Sequence, residues 1–243
     1  MSAQAEGGRR WLVTGASRGL GLAIARRAIA GGDRVCLLAR SPDIAEIAAG
    51  LGPNAIGLAA DVTDPDNLAS VCNQAAEAFG GIDVLVNNAG LHRGGKVATL
   101  AVEDWDAVLA TNLSGPLHVI RAALGHMGEG GAIVNIGAVV GFRGFAGDAC
   151  YGAAKSGLAG LTKVLAVELA PKGIRVNQVI PGFVGTEMTA GLSDRARDAI
   201  VAKVPLGRMG LPEEIADVCW WVAGSSYMTG SDIMTDGGLM CGL

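Results

Sequence analysis

A glycine-rich turn, Thr14-Gly15-Ala16-Ser17-Arg18-Gly19-Leu20-Gly21, follows an apolar run directly and opens a helical pattern. Glycine lacks a Cβ, so the backbone can turn tightly there and lie close to a pyrophosphate. The helix that follows presents unpaired N–H groups and partial positive charge at its start, an anion-binding end. A glycine turn alone is a weak signal. Between a first strand and a first helix it is a strong one, and it restricts the chain to strand–helix–strand units.

The rest of the chain repeats that unit. Strands are expected at residues 11–14, 35–39, 55–60, 82–86, 132–136, 174–180 and 232–235. Between them fall helices at 20–30, 64–79, 103–127 and 151–170, a short one before the third strand, and a pair at 189–204 and 212–223. Asp64 is the expected cap of the 64–79 helix and Gly80-Gly81 its stop. Strands apolar on both faces and separated by helices imply crossovers and a parallel sheet. No linker, composition break or internal repeat divides the chain. The expectation is one α/β domain over 1–243, a Rossmann-type doubly wound sheet of about seven strands. Residues 1–9 are expected to be a flexible N-terminus, and 183–210 a helical excursion lying over the ligand.

Composition excludes several functions. Half of the residues are hydrophobic and 17% are charged, which suits a buried core. The net charge is −4 and no run is basic, so neither nucleic acid nor an anionic membrane is an expected partner. Five cysteines, odd in number and without a CxxC pair, argue against a disulfide framework or zinc site and for a reducing cytoplasm. The three histidines lie far apart and offer no metal-ligand spacing. The first ten residues lack the apolar core of a secretory signal, and no apolar stretch approaches a membrane span.

Chemistry enters with Tyr151-Gly-Ala-Ala-Lys155. Four residues make one helical turn, so a phenol and an ammonium share a helix face. A phenol with pKa ~10 is a poor acid or base at neutral pH. A neighbouring cation stabilises its anion, and lowering the pKa by ~3 units takes roughly 4 kcal/mol. Tyr151 is then a general acid or base. The second strand ends in Ala39-Arg40, without the carboxylate that holds an NAD ribose, and Arg18 sits in the glycine turn. Two guanidiniums suit a 2′-phosphate, hence NADP(H). Asp61, after the third strand, is placed to accept from an adenine amino group. Asn87-Asn88-Ala89-Gly90 ends the fourth strand with small residues against the cofactor.

Taken together, Thr14-Gly15-x-x-x-Gly19-x-Gly21, Asp61-Val62, Asn87-Asn88-Ala89-Gly90, Asn112, Tyr151-x-x-x-Lys155 and Pro181-Gly182-Phe183-Val184-Gly185-Thr186 resemble the short-chain dehydrogenase/reductase family, in its order and over nearly the whole chain. Ile136-Gly137-Ala138-Val139-Val140-Gly141, Val204-Pro205-Leu206-Gly207-Arg208 and the segment through Met188-Thr189 are similar to bacterial 3-oxoacyl-[acyl-carrier-protein] reductases. The resemblance implies that Tyr151 protonates the alkoxide formed from a ketone, while Lys155 binds the nicotinamide ribose and lowers the tyrosine pKa. Asn112 would kink its helix and hold a water that links Lys155 to solvent. The backbone at Val184 and the Thr186 hydroxyl would hold the carboxamide. The implied cofactor contacts also take in Ser17, Leu20, Val62, Asn88, Ala89, Gly90, Pro181 and Gly182.

One position departs from the pattern: where the family has a substrate-orienting serine, this chain has Ala138. Losing one such donor costs ~3 kcal/mol in the transition state, or 10²–10³ in rate. An engineered Ser→Ala change, a natural enzyme whose substrate is oriented by other groups, and a binding protein without turnover all remain open. The expected substrate is a 3-oxoacyl thioester or related ketone, carried on carrier protein or CoA or free. His92, Phe145, Phe183 and Met188 are expected to line its cavity. The basic docking patch expected for an acidic carrier is thin, with Lys172 and Arg175 its candidates and Arg93 and Arg143 marginal ones. The alternatives are an oxidative alcohol, sugar or steroid dehydrogenase, and an NADP(H)-binding regulatory protein. The family's habit implies a homotetramer through the 103–127 and 151–170 helices.

Overall fold

The computed structural model describes residues 8–191 and 193–241, the side chain of Met188 excepted. Seven parallel strands run in the order β3-β2-β1-β4-β5-β6-β7. They are β1 (Arg10–Thr14), β2 (Arg34–Ala39), β3 (Ala55–Ala59), β4 (Val84–Asn87), β5 (Ala132–Ile136), β6 (Arg175–Pro181) and β7 (Asp232–Thr235). The chain winds outward from β1 to β3, then returns to place β4 on the other side of β1. Helices leaving β1 and β4 therefore diverge, and a crevice opens between the carboxyl ends of these two strands. Thr14 pairs with Leu38, and Val13 with Val86, so the strands end near one level.

The central strands are buried on both faces, as their unbroken apolar runs require. Along β1, Trp11 and Val13 enter one core while Leu12 enters the other. The first core is closed by α1 (Gly19–Ala30), α2 (Ile44–Ala49) and α9 (Pro212–Gly224). The second is closed by α3 (Pro65–Phe79), α5 (Gly115–Ala123) and α6 (Ala149–Leu169). Each fully buried Leu or Ile contributes about 1.5–3 kcal/mol. Asp64 caps α3 by accepting from Asn67 N at 3.2 Å, and Gly80 ends it at φ +83°.

Three expectations are corrected. The 103–127 helix is interrupted: α4 (Val102–Leu109) runs into a π turn at Ala110–Ser114, then α5, then a 3-10 turn at Leu124–His126. Pro116 has no N–H to return to the Asn112 carbonyl, and the Asn112 side chain is pulled onto Leu91. The widened turn accommodates both. The 189–204 helix is instead two short ones, α7 (Glu187–Ala190) and α8 (Asp194–Val201), because Ser193 starts a new helix by capping Ala196 N at 3.3 Å. Of the N-terminal segment expected to be flexible, residues 1–7 lie outside the described residues. Arg9 is fixed: its backbone N and Nε donate to buried Asp33 at 2.8 and 3.2 Å.

Candidate active site

The glycine turn leaves β1 at the crevice. Gly15 has φ +65° and Gly19 φ +53°, a left-handed region that favours glycine. A Cβ at Gly15 would lie 2.8 Å from Ala89 Cα, and one at Gly21 only 2.3 Å from Gly15 O. At these two positions glycine also permits close approach by the protein's own backbone. Asn88 Nδ2 donates to Thr14 O at 2.9 Å and Gly15 O at 3.1 Å, so its amide braces the turn. Thr14 Oγ1 accepts from Asn88 N and Ala89 N, both at 3.0 Å, tying β1 to β4 at the crevice floor.

Around this floor Ser17 and Leu20 are half-buried, and Arg18 is exposed. Arg18, Gly19, Arg26, Thr186, Glu187 and Arg197 line a cleft of about 480 Å³ between α1 and the α7–α8 excursion. Arg40 is 74% exposed and lies 3.7 Å from Asp61, whose other oxygen accepts from Thr63 N and Oγ1. Asp61 is thus largely engaged locally. Val62 packs under Gly115, and Gly90 lies against the Asn112 amide. Pro181 ends β6, Gly182 N donates to Thr235 O at 3.1 Å, and buried Val184 bridges to Gly210. Thr186 N donates to Thr189 Oγ1 at 3.0 Å, and Thr186 caps α7.

The chemical centre lies at the end of β5. Lys155 is buried, and its Nζ donates to Ile136 O at 2.7 Å. Burial pulls this ammonium down to about 8. It lies 5.5 Å from the Tyr151 ring centroid, over the ring. The phenol is pushed up to about 12 by its own burial, with the charge of Asp148 adding. The expected lowering of the tyrosine pKa is therefore reversed in the protein alone. The lysine is held to a carbonyl and faces the ring, and desolvation outweighs it. Tyr151 is consequently a fully protonated phenol at neutral pH.

Ala138 follows β5 in an extended conformation and precedes a 3-10 turn at Val139–Gly141. That turn packs on α6, where a Cβ at Gly141 would lie 3.0 Å from the Lys155 backbone. Phe145 and Phe183 meet edge to face at 6.0 Å and join Val139, Ile180, Val204 and Leu239 in an apolar cluster. His92 stands edge-on to Tyr151 at 5.1 Å. Three of the four expected substrate residues thus border the site; the Met188 side chain lies outside the described residues. Asn112 Nδ2 donates to Leu91 O at 2.7 Å and Val108 O at 2.9 Å, so its side chain anchors the loop carrying His92.

The sequence missed Asp148, Leu239 and Lys96. Asp148 bonds His92 across 56 residues, which no local pattern signals. Lys96 and Phe145 border a second cleft of about 500 Å³ beside the start of α6. Two docking candidates are withdrawn from the surface: Arg175 donates to the carbonyls of Val222, Ala223 and Met228 and closes the end of α9, and Arg143 donates to Leu239 O at 3.2 Å. Arg93 is paired with Asp104 at 2.6 Å.

A glycine turn over a β1/β4 switch, with a tyrosine and a buried lysine one helical turn apart beyond it, defines a class of nucleotide-dependent oxidoreductase. The chain belongs to the short-chain dehydrogenase/reductase family. The family described as enoyl-(acyl carrier protein) reductase matches residues 15–240. The 3-oxoacyl-[acyl-carrier-protein] reductase FabG of Vibrio cholerae is 42% identical over 237 residues, covering 96% of this chain and 97% of its own. That of Escherichia coli is 43% identical over the same shares, and carbonyl reductase family member 4 of Danio rerio is 41% identical over 94% and 96%. Among solved structures, a glucose/ribitol dehydrogenase of the family from Brucella melitensis aligns with a TM-score of 0.92 at 34% identity, over 96% and 97%. A blue fluorescent protein from a metagenomic library, in complex with NADPH, aligns with a TM-score of 0.90 at 34% identity, over 96% and 98%.

Proposed function

We propose that the chain is an NADPH-dependent ketone reductase acting on a 3-oxoacyl thioester. The observation that carries this reading is the buried Lys155 beside Tyr151 at the end of β5, next to the apolar cluster of Phe145, Phe183 and Val139. The residues present fit the cofactor. An ammonium has three donors, and Lys155 uses one, on Ile136 O, which leaves two for ribose hydroxyls in a site closed to bulk water. Arg18 and Arg40 have exposed guanidiniums for a 2′-phosphate, and the α1 N-terminus faces the pyrophosphate position.

When bound, NADPH supplies the hydride. Tyr151, protonated across the neutral range, gives its proton to the oxygen of the reduced ketone. Lys155, cationic below about pH 8, steadies the phenolate that results. Asn112 holds the His92 loop and the π turn behind them. Phe145 and Phe183 orient the acyl chain and exclude water. Ala138 withholds one hydrogen bond that a serine would give. The curated relatives above are named for 3-oxoacyl-carrier substrates, and identities above 40% along the full length support a carbonyl over an alkene substrate. Lys96 at the mouth of the second cleft is the exposed cation for a phosphorylated carrier arm, CoA or carrier protein.

The same reading assigns 183–210 to substrate covering and makes the protein a cytoplasmic homotetramer. Leu117 on α5 and Val164 and Val167 on α6 are exposed at 36%, 61% and 77%, an apolar surface suited to burial between subunits. All five cysteines are free, and among the described residues no helix is long and apolar enough to cross a membrane. NADPH oxidation with acetoacetyl-CoA and a set of small ketones tests the activity. Oxidation with none of them, in a protein that binds NADPH, would leave the regulatory reading standing. Light scattering at monomer mass would remove the tetramer.

A further inference from the structure

The missing serine raises the question of what orients the substrate carbonyl, and a second polar pair stands beside Tyr151. His92 Nε2 lies 2.9 Å from Asp148 Oδ1. An ionised carboxylate only accepts, so Nε2 carries a proton and the tautomer is fixed. Among the described residues, no protein group partners the other ring nitrogen, Nδ1. The imidazole is edge-on to the phenol, 5.1 Å between centroids, and 40% exposed, so it is open to a ligand in the cleft.

The pair is also held rigidly. Gly95 N donates to Gly147 O at 2.8 Å, and Gly95 bridges to Asp148. Cys150 Sγ donates to Arg93 O at 3.0 Å, and Asn112 grips Leu91 from behind. The loop carrying His92 is thereby fastened on both sides to the start of α6, the helix that carries Tyr151. Fixed position and fixed tautomer are what a substrate-orienting group requires.

We propose that the His92–Asp148 pair supplies the carbonyl-orienting hydrogen bond that Ala138 cannot. With Nε2–H given to Asp148, the imidazolium donates from Nδ1 to the ketone oxygen; the neutral ring accepts there from the product hydroxyl. No bond is made or broken at His92, and the proton that completes the alcohol still comes from Tyr151. The inference rests on the reductase reading above. The ionisable groups facing His92 are Asp148 and Tyr151 from α6 and the Arg93–Asp104 pair on its own loop and α4, with Lys155 deeper.

The test is a double-mutant cycle on acetoacetyl-CoA reduction, with His92→Phe to keep the ring packing and Ala138→Ser to restore the donor. His92→Phe alone is expected to lower kcat/KM about 30- to 100-fold, at unchanged melting temperature and NADPH affinity. In the Ala138→Ser background the same change is expected to cost less than about threefold, because the two donors serve one oxygen. Asp148→Asn should reproduce part of the loss. Equal losses in both backgrounds, or losses of melting temperature and NADPH affinity in place of kcat/KM, would make the pair a structural staple and overturn the proposal. Absence of NADPH oxidation in every form, Ala138→Ser included, would overturn the reductase reading and this role with it.

Discussion

The two ends of the sheet treat their polar groups in opposite ways. At the amino end, Asp33 is buried and saturated: it accepts from Arg9, from Trp11 Nε1 at 2.8 Å and from Trp220 Nε1 at 3.3 Å. Arg9 lies over both indoles at 5.0 and 4.9 Å, and Arg27 over Trp220 at 4.1 Å. Asp83 beside them is raised by burial, yet hydrogen bonds from Arg10 overcome this and hold its carboxyl below the usual range. At the carboxyl end the polar groups are buried without being saturated. Among the described residues, Lys155 has one acceptor for three donors, and the Gln178 amide and Asn87 Oδ1 have no partner. Unsatisfied buried groups cost about 1–3 kcal/mol each. One end ties strands together; the other keeps donors available.

The contrast can be broken from either side. Tyr151→Phe is the largest expected effect: kcat falls 10³-fold or more, with melting temperature held within a degree or two, because the lost hydroxyl has no partner in the protein. Retention of more than a tenth of the rate would assign the proton to another group. Ala138→Ser comes next: in the His92→Phe background it is expected to raise kcat/KM toward 3-oxoacyl thioesters about 30- to 100-fold, and in the parent chain only a few-fold, because His92 already serves that oxygen. A gain below threefold in the His92→Phe background would mean that the position no longer meets the substrate.

Asp33→Ala probes the other end. It strands Arg9 and two indole N–H groups, so a loss of about 3 kcal/mol, or roughly 6–12 °C in melting temperature, is expected at unchanged kcat. A change in kcat would show that the two ends are coupled. Gly15→Ala lies between the ends. Its φ of +65° and the Ala89 contact should cost about 1–3 kcal/mol and weaken NADPH binding, read by fluorescence titration. The smallest effect is on pH. Lys155 is charged below about 8 and neutral above it, so kcat/KM should decline as pH rises through that value. A profile flat to pH 9.5 would show that the cofactor restores the charge.

Legibility differed by distance along the chain. The glycine turn, the seven strands and the Tyr151–Lys155 pair lie within a few residues of their determinants, and period and spacing exposed them. The π turn at Ala110–Ser114 falls where the resemblance led Asn112 to be expected to kink the long helix, and Pro116, which has no N–H for the Asn112 carbonyl, gives the backbone reason. Single helices drawn through 103–127 and 189–204 followed apolar periodicity alone, which does not register a π turn or a fresh N-cap at Ser193. The bracing of the turn by Asn88 and the engagement of Arg175 were not legible, because both serve backbone carbonyls that only folding brings near.

Local sequence by itself determined the strand–helix alternation, the glycine turn, the tyrosine–lysine pair on one helix face and the alanine at position 138. These follow from side-chain period, glycine's missing Cβ and the four-residue helical repeat. The tertiary structure alone decided what surrounds them. It set the direction in which Tyr151 and Lys155 are shifted, since desolvation depends on packing from distant segments. It also joined His92 to Asp148, 56 residues apart, because a hydrogen bond across two loops is fixed by the sheet that carries both.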